Sequence, residues 1–306
     1  MDETSAVVVL DGGLSTVLEQ QGANLTGALW TARLVGEEPA RIVEAHRAFY
    51  AAGARVATTS TYQATVEGFV AGGYDEHTAR QLIVRSVTLA QEARDELADT
   101  SPGLLVAASV GPYGAFLADG SEYRGNYGVT MSRLRDFHAP RLELLAATQP
   151  DLFAVETIPD AVEAEVLVEL LDDLGVPAWF CYSVSGTKTC AGQPLSEAYG
   201  VVAGSSSIIA AGVNCSEQKD VLAAVATAAA ITTLPAIAYP NRGGSWDSVS
   251  KTWSYGAPLD LDLVESWIAA GTRYVGGCCG TGPADIAQLA QRFGPERAVT
   301  VSGREA

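Results

Sequence analysis

Tyr274-Val-Gly-Gly-Cys-Cys-Gly-Thr-Gly-Pro283 is a short apolar run that ends in two adjacent cysteines and a glycine-rich turn. It reads as a strand over 274–277, a bend, and a helix with Pro283 in its first turn. Neighbouring side chains of a straight strand point to opposite faces. Cys278 and Cys279 can therefore converge only if the strand stops there and the backbone turns. A third cysteine has a similar place, because Ile208-Ile-Ala-Ala-Gly-Val-Asn-Cys215 is an apolar strand ending in a thiol. Three cysteines at the ends of two strands predict a metal site with three protein ligands and one open position. That is the pattern of a catalytic zinc, since structural zinc sites are closed by four protein ligands. A disulfide between Cys278 and Cys279 would be a strained ring. Cys181 and Cys190 read as ordinary apolar core thiols.

The same unit repeats along the chain: an apolar β-branched run, a polar or glycine-rich loop, then an amphipathic helix. Strands are expected over 6–10, 55–62, 104–110, 152–156, 178–184, 207–213, 235–239 and 274–277. Helices are expected over 42–52, 76–97, 132–147, 161–174, 195–202, 217–230, 261–270 and 283–292. The strands are continuous apolar runs, as parallel strands covered on both faces should be. The fold class is α/β, a (β/α)₈ TIM barrel forming one domain over 1–306. No G-x-G-x-x-G or Walker sequence lies between a strand and a helix, which disfavours an open doubly wound sheet. Long loops at 111–129 and 240–258 are candidate functional segments.

Such barrels place their active sites at the carboxyl ends of the strands. Those ends carry Asp11-Gly12-Gly13, Thr59 to Gln63, Ser109 to Tyr113, Glu156-Thr157, Asn214-Cys215, Tyr239 to Asn241, and Cys278-Cys279. Polar and metal-binding groups thus gather on one rim. Asp11 and Glu156 are either an acid/base pair or a clamp for an ammonium group, and their spacing does not choose. Gly12 and Gly13 let the backbone approach a ligand and offer N–H groups to a carboxylate. Together these features fit an α-amino acid. Trp30, Tyr62, Tyr113 and Tyr239 are aromatics near the rim, able to stabilise a cation that lacks N–H donors. The histidines His46, His77 and His138 all fall in or near helices. No lysine lies in a barrel strand, which disfavours Schiff-base chemistry. No G-x-S-x-G elbow occurs.

The chain of 306 residues is 48% hydrophobic and 18% charged, with a formal net charge of −17. That charge argues against nucleic acid and against anionic membrane surfaces as partners. The acidic Met1-Asp-Glu-Thr-Ser start is unlike a signal peptide, and no apolar run is long enough for a membrane span. Five cysteines, an odd number, point to a reducing cytoplasm.

These residues resemble the homocysteine S-methyltransferase family. The resemblance is carried by Asp11-Gly-Gly13, Gly212-Val-Asn-Cys215 and Gly276-Gly-Cys-Cys-Gly-Thr281, in that order. Between them, Ser60-Thr-Tyr-Gln-Ala-Thr65, Ser109-Val-Gly-Pro-Tyr-Gly114, Leu117-Ala-Asp-Gly-Ser-Glu-Tyr-Arg-Gly125 and Ser250-Lys-Thr-Trp253 are similar to the S-methylmethionine-dependent branch. The resemblance implies zinc on Cys215, Cys278 and Cys279, and an amine site on Asp11 and Glu156. Gly12, Gly13, Asn214, Tyr62, Tyr113 and Trp30 are the further candidates for substrate binding. Thr157 stands where the betaine-using branch has an aromatic residue, which lowers the expectation of betaine.

The implied reaction is attack by the zinc-activated thiol of homocysteine on a sulfonium methyl, forming methionine, with S-methylmethionine or S-adenosylmethionine as donor. The partners expected are these small molecules, with the chain a monomer or weak homo-oligomer. Alternatives are a selenocysteine or other thiol methyltransferase of the same fold, and a zinc- or thiol-binding barrel without turnover.

Overall fold

The computed structural model describes residues 6–23, 25, 30–247 and 252–294, with backbone alone for 30–32, 244–247 and 252–255. Eight parallel strands form the centre: β1 Val8–Val9, β2 Val56–Thr58, β3 Leu105–Val110, β4 Leu152–Ile158, β5 Ala178–Tyr182, β6 Ile208–Asn214, β7 Ala236–Tyr239 and β8 Thr272–Val275. From β2 to β8 each strand pairs in parallel with its sequence neighbour, and β8 also pairs with β1 through Val8–Tyr274 and Val9–Val275. A parallel bridge between Leu10 and Val56 joins β1 to β2, and the Arg55 N–H donates to Val9 O at 2.7 Å. The sheet thereby curls into the expected barrel.

Period-two alternation sorts the strand residues into two sets. Leu10, Val56, Leu152, Ala154, Trp179 and Ile237 pack together inside the barrel. Val9, Val106, Phe153, Val155, Phe180 and Val213 belong to the larger outer core with the helices. Both faces are dry, so the strands read as unbroken apolar runs. Full burial of such a side chain contributes roughly 1.5–3 kcal/mol. Trp179 is the largest interior residue, and its Nε1 donates to Tyr239 Oη at 2.9 Å, so the indole N–H is not stranded.

The expected helices are present as α3 Pro39–Ala52, α5 Glu76–Asp95, α7 Met131–Ala146, α8 Ala161–Leu174, α9 Leu195–Val202, α10 Gln218–Thr232, α11 Leu261–Ala269 and α12 Pro283–Phe293. Four further helices, none of more than eight residues, were not expected: α1 Leu14–Gln20, α2 Trp30–Glu37, α4 Val66–Ala71 and α6 Tyr113–Leu117. Segment 240–258 includes an antiparallel hairpin, Gly244–Asp247 with Thr252–Tyr255. Lys251, and Ser250 of the run quoted above, lie outside the described residues.

Several strand bounds differ from expectation, β5 for one ending at Tyr182 rather than at 184, and two of the differences have visible reasons. Strand β2 stops at Thr58 rather than at 62. Beyond it, Thr59 and Thr61 share a hydroxyl hydrogen bond, and Thr61 Oγ1 donates to Ser109 O at 2.7 Å. Side-chain hydroxyls there replace the backbone ladder. Strand β8 runs from Thr272 to Val275, not from 274 to 277. Past it the Gly276 N–H turns to Ala238 O and the Gly277 N–H to Asp11 O. The chain is wedged between β7 and β1, and a Cβ on Gly276 would come within 2.7 Å of Asp11 O.

Candidate active site

The three cysteines meet at the carboxyl ends of the strands. Cys215, Cys278 and Cys279 bring their sulfurs within 4.8 Å of one another. Cys278 Sγ lies 2.9 Å from Cys215 Sγ, and Cys279 Sγ lies 3.6 Å from it. The end of β7 is the splint between them. The Cys215 N–H donates to Tyr239 O, the Cys278 N–H to Pro240 O, and the Arg242 N–H to Cys279 O. Asn241 Oδ1 accepts from the Cys279 N–H at 3.2 Å. Behind the turn, α12 begins at Pro283, and Asp285 accepts the Gly282 N–H at 2.9 Å.

Cys215 carries a left-handed backbone, φ 48°, and so does Thr157 at the end of β4, φ 62°. Such conformations cost non-glycine residues of order 1–3 kcal/mol and persist where surrounding contacts impose them. At Thr157 the contacts come from Asn214, whose Oδ1 accepts the Thr157 N–H at 2.6 Å and whose Nδ2 donates to Thr157 Oγ1 at 2.8 Å.

The donor set fits a thiophilic metal ion. Three thiols crowd one another, and among the described residues no cationic side chain is in hydrogen-bond contact with them. Cys278 and Cys279 direct hydrogen bonds at Cys215, which pulls that thiol well below its usual range while their own are pushed well above it. A bound dication would instead ionise all three. Among the described residues no fourth His, Cys, Asp or Glu joins the cluster, which leaves one position open.

Asp11 and Glu156 line the same cavity as the cysteines. Asp11 is 5% exposed; its Oδ2 accepts the Thr58 N–H at 2.6 Å and its Oδ1 the Thr58 hydroxyl at 3.0 Å. Glu156 is 8% exposed and accepts a short hydrogen bond from Ser109 Oγ. Burial pushes Asp11 up to about 8, with Glu156 adding to the push. Burial likewise pushes Glu156 up to about 7. Both acids are dehydrated, and the buried Arg141 charge offsets only part of the push on Glu156.

The remaining sequence candidates divide. Gly12, Gly13 and Tyr62 line the cavity. The Gly13 N–H donates to Thr281 O at 2.9 Å, and a Cβ there would lie 2.7 Å from Cys278 O. Close approach to the cysteine turn accounts for this glycine. Asn214 is fully buried behind the rim with its amide bonded to Thr157. Tyr113 packs among Phe116, Tyr127 and Phe137, with ring centroids 4.9–5.7 Å away. The side chain of Trp30 lies outside the described residues. His46 and His138 are buried in α3 and α7, and His77 is exposed on α5.

Sequence reasoning gave no role to Glu122 and Tyr123, although both lie in a quoted run. They form a 3-10 turn in segment 111–129 and line the cavity. Tyr123 Oη is 3.4 Å from Cys215 Sγ. The segment is held down firmly: Glu163 of α8 accepts from the Tyr113 N–H at 2.6 Å and from Tyr127 Oη at 3.0 Å. His138 Nε2 lies 2.9 Å from the same carboxylate.

An eight-stranded barrel with a three-thiol cluster able to hold a metal and two buried acids at its carboxyl rim defines the class: a barrel enzyme with its site at the carboxyl ends of the strands. A family model described as homocysteine S-methyltransferase matches residues 8–293, and the chain belongs to that family. It is 43% identical to the homocysteine S-methyltransferase of Escherichia coli strain K12, over 94% of this chain and 95% of that one. It is 36% identical to the selenocysteine Se-methyltransferase of Brassica oleracea var. italica, over 98% of this chain and 92% of that one. The crystal structure of the homocysteine methyltransferase MmuM from Escherichia coli in its metallated form superposes with a TM-score of 0.84 at 42% identity, covering 94% of this chain and 96% of that one. Among the described residues no helix is long and apolar enough to cross a membrane.

Proposed function

We propose that this chain transfers a methyl group from a sulfonium donor, S-methylmethionine or S-adenosylmethionine, to the thiol of homocysteine, with zinc held by Cys215, Cys278 and Cys279. The observation that carries this reading is the shared cavity of the three thiols and the two buried acids, Asp11 and Glu156. It holds both ends of a thiol-bearing amino acid.

When bound, zinc supplies a Lewis acid that keeps the substrate sulfur deprotonated at neutral pH, and three thiolate ligands leave that sulfur electron-rich. The chain's own residues do the rest. Asp11, fixed by Thr58, and Glu156, fixed by Ser109, receive the substrate ammonium and lose their protons as it binds. Asn214 locks Thr157 next to Glu156 and directly precedes Cys215, so it ties the amine end to the sulfur end. The homocysteine sulfur forms a bond to the donor methyl carbon, and the bond from that carbon to the sulfonium sulfur breaks with its electron pair. A thiolate and a sulfonium become two neutral thioethers, so no proton is needed by the leaving group. Positioning in a water-poor cavity supplies much of the acceleration.

The test is methionine formation by the purified protein from homocysteine with each donor in turn. Turnover supports the reading, and the ratio of the two rates names the donor. No methionine from either would overturn it. A selenol acceptor is the second reading, supported by the likeness to a selenocysteine Se-methyltransferase; a higher kcat/KM for selenocysteine than for homocysteine would favour it.

A further inference from the structure

Glu122 is a third buried acid at the rim, and the homocysteine amine does not account for it. It is 6% exposed and lines the cavity. Its Oε2 is buried, and no hydrogen-bond partner reaches it among the described residues. The nearest basic residue in sequence, Arg124, is exposed and pairs with Asp119 at 3.6 Å. A dehydrated carboxyl left without a partner is costly unless a ligand completes it. Burial holds this carboxyl above its usual range.

The position is prepared in advance. Ser121, on one side, takes its N–H to Asp119 Oδ1 at 2.9 Å. Ser183 Oγ donates to Glu122 O at 3.4 Å. A Cβ on Gly114 would come within 2.5 Å of Glu122 N, so the turn and α6 are in tight contact. Tyr62 and Tyr123 line the cavity beside it, and Glu122 helps to push the Tyr62 phenol well above its usual range. An acid and two aromatic residues lining one cavity suit a cation that has no N–H to donate.

We infer that Glu122 is the specificity residue for the positive charge of the methyl donor, with Tyr62 and Tyr123 as its aromatic flank. This rests on the methyl-transfer reading above. With Asp11 and Glu156 satisfied by the ammonium of the first amino acid, Glu122 remains as the unmatched negative group. It selects the cationic donor over the neutral thioether that the donor becomes. Transfer removes the charge, so the product loses its partner and is released.

The test uses zinc-loaded protein and Glu122→Gln, which keeps size and polarity and removes the charge. The KM for S-methylmethionine rises tenfold or more, while zinc content and the homocysteine KM stay within twofold of wild type. Inhibition by methionine, competitive with the donor, also stays within twofold. Glu122→Asp, which keeps the charge, recovers part of the donor affinity. An unchanged donor KM, a loss confined to homocysteine, or an equal loss for methionine would each overturn the assignment. Wild-type protein gives an answer independent of how the variants fold. The quaternary-ammonium analogue of the donor should compete with it at least tenfold better than methionine does, and equal competition overturns the proposal. If wild-type protein shows no turnover, the methyl-transfer reading fails by itself. Calorimetry of S-methylmethionine against methionine then still decides whether Glu122 selects the charge.

Discussion

Asn214 grips Thr157 with both polar atoms of its carboxamide, at 2.6 Å to the backbone N–H and 2.8 Å to the hydroxyl. The two residues sit at the ends of β6 and β4. Each is next to a group of the site, Cys215 and Glu156. The clamp therefore holds a left-handed Thr157 in place and ties the Glu156 end of the cavity to its cysteine end.

Asn214→Ala should lose both bonds and leave the buried Thr157 N–H unpaired. Stability should fall by about 2–4 kcal/mol, read as a lower midpoint in urea unfolding. The homocysteine KM should rise in the fraction that remains folded. Asn214→Asp keeps an acceptor for the N–H and should lose less. Equal stability of Asn214→Ala and wild type would show that the clamp does not hold Thr157.

The pH dependence of ligand binding has a definite sign. Asp11 keeps its proton in the empty protein up to about 8, against an ordinary 3.8. An arriving ammonium favours the ionised form, so binding releases a proton below that value. Methionine carries the ammonium but no thiol, and its affinity should rise as pH goes from 6 to 8 and then level off. Asp11→Asn should weaken binding and make the rise shallower, leaving the part due to Glu156 near 7. The empty protein behaves oppositely. A folded-state value above the unfolded one means that this group's contribution to stability is full below about 4 and falls as pH rises towards 8. Thermal unfolding of empty and methionine-bound protein across that range checks both slopes, and parallel slopes would contradict the account.

Arg141 is buried in α7 with three backbone carbonyls for partners: Gly111 O at 2.9 Å, and Thr61 O and Tyr62 O at 2.7 Å each. It pins the loops after β2 and β3 that shape the rim. Arg141→Met should strand those carbonyls and cost at least about 3 kcal/mol. Donor KM should rise more than homocysteine KM, because Tyr62 moves while Asp11 and the cysteines keep their own supports. Denaturant midpoints and the two KM values measure this, and a loss shared equally by both substrates would argue against it.

The barrel was legible because its strands obey two rules at once, apolar on both faces and polar at one end. The segments 161–174 and 195–202 were read to the residue because Asp160 and Pro194 mark their starts and the apolar period runs cleanly through them. Short helices escaped notice. Val66–Ala71 spans under two turns with Gly68 inside, too little for a period to show. The cysteine cluster was legible from spacing, since bends at strand ends are a local property. The partner of Asn214 was not, for it lies 57 residues away on the far side of β5. Nor was the placing of Tyr113 in an aromatic cluster, which depends on how α6 packs on Phe137 of α7.

The central claim is that methyl transfer depends on metal held by the three cysteines. Zinc should be added back in steps to protein stripped of metal, with methionine formation from homocysteine and S-methylmethionine followed at each step. The account predicts activity rising in proportion to zinc and stopping at one ion per chain. Cys278→Ala should stay folded, bind little zinc and give no methionine at any step, while Cys181→Ala, in the barrel interior, should follow the wild-type line. Full activity in the stripped protein, or in Cys278→Ala, would contradict it.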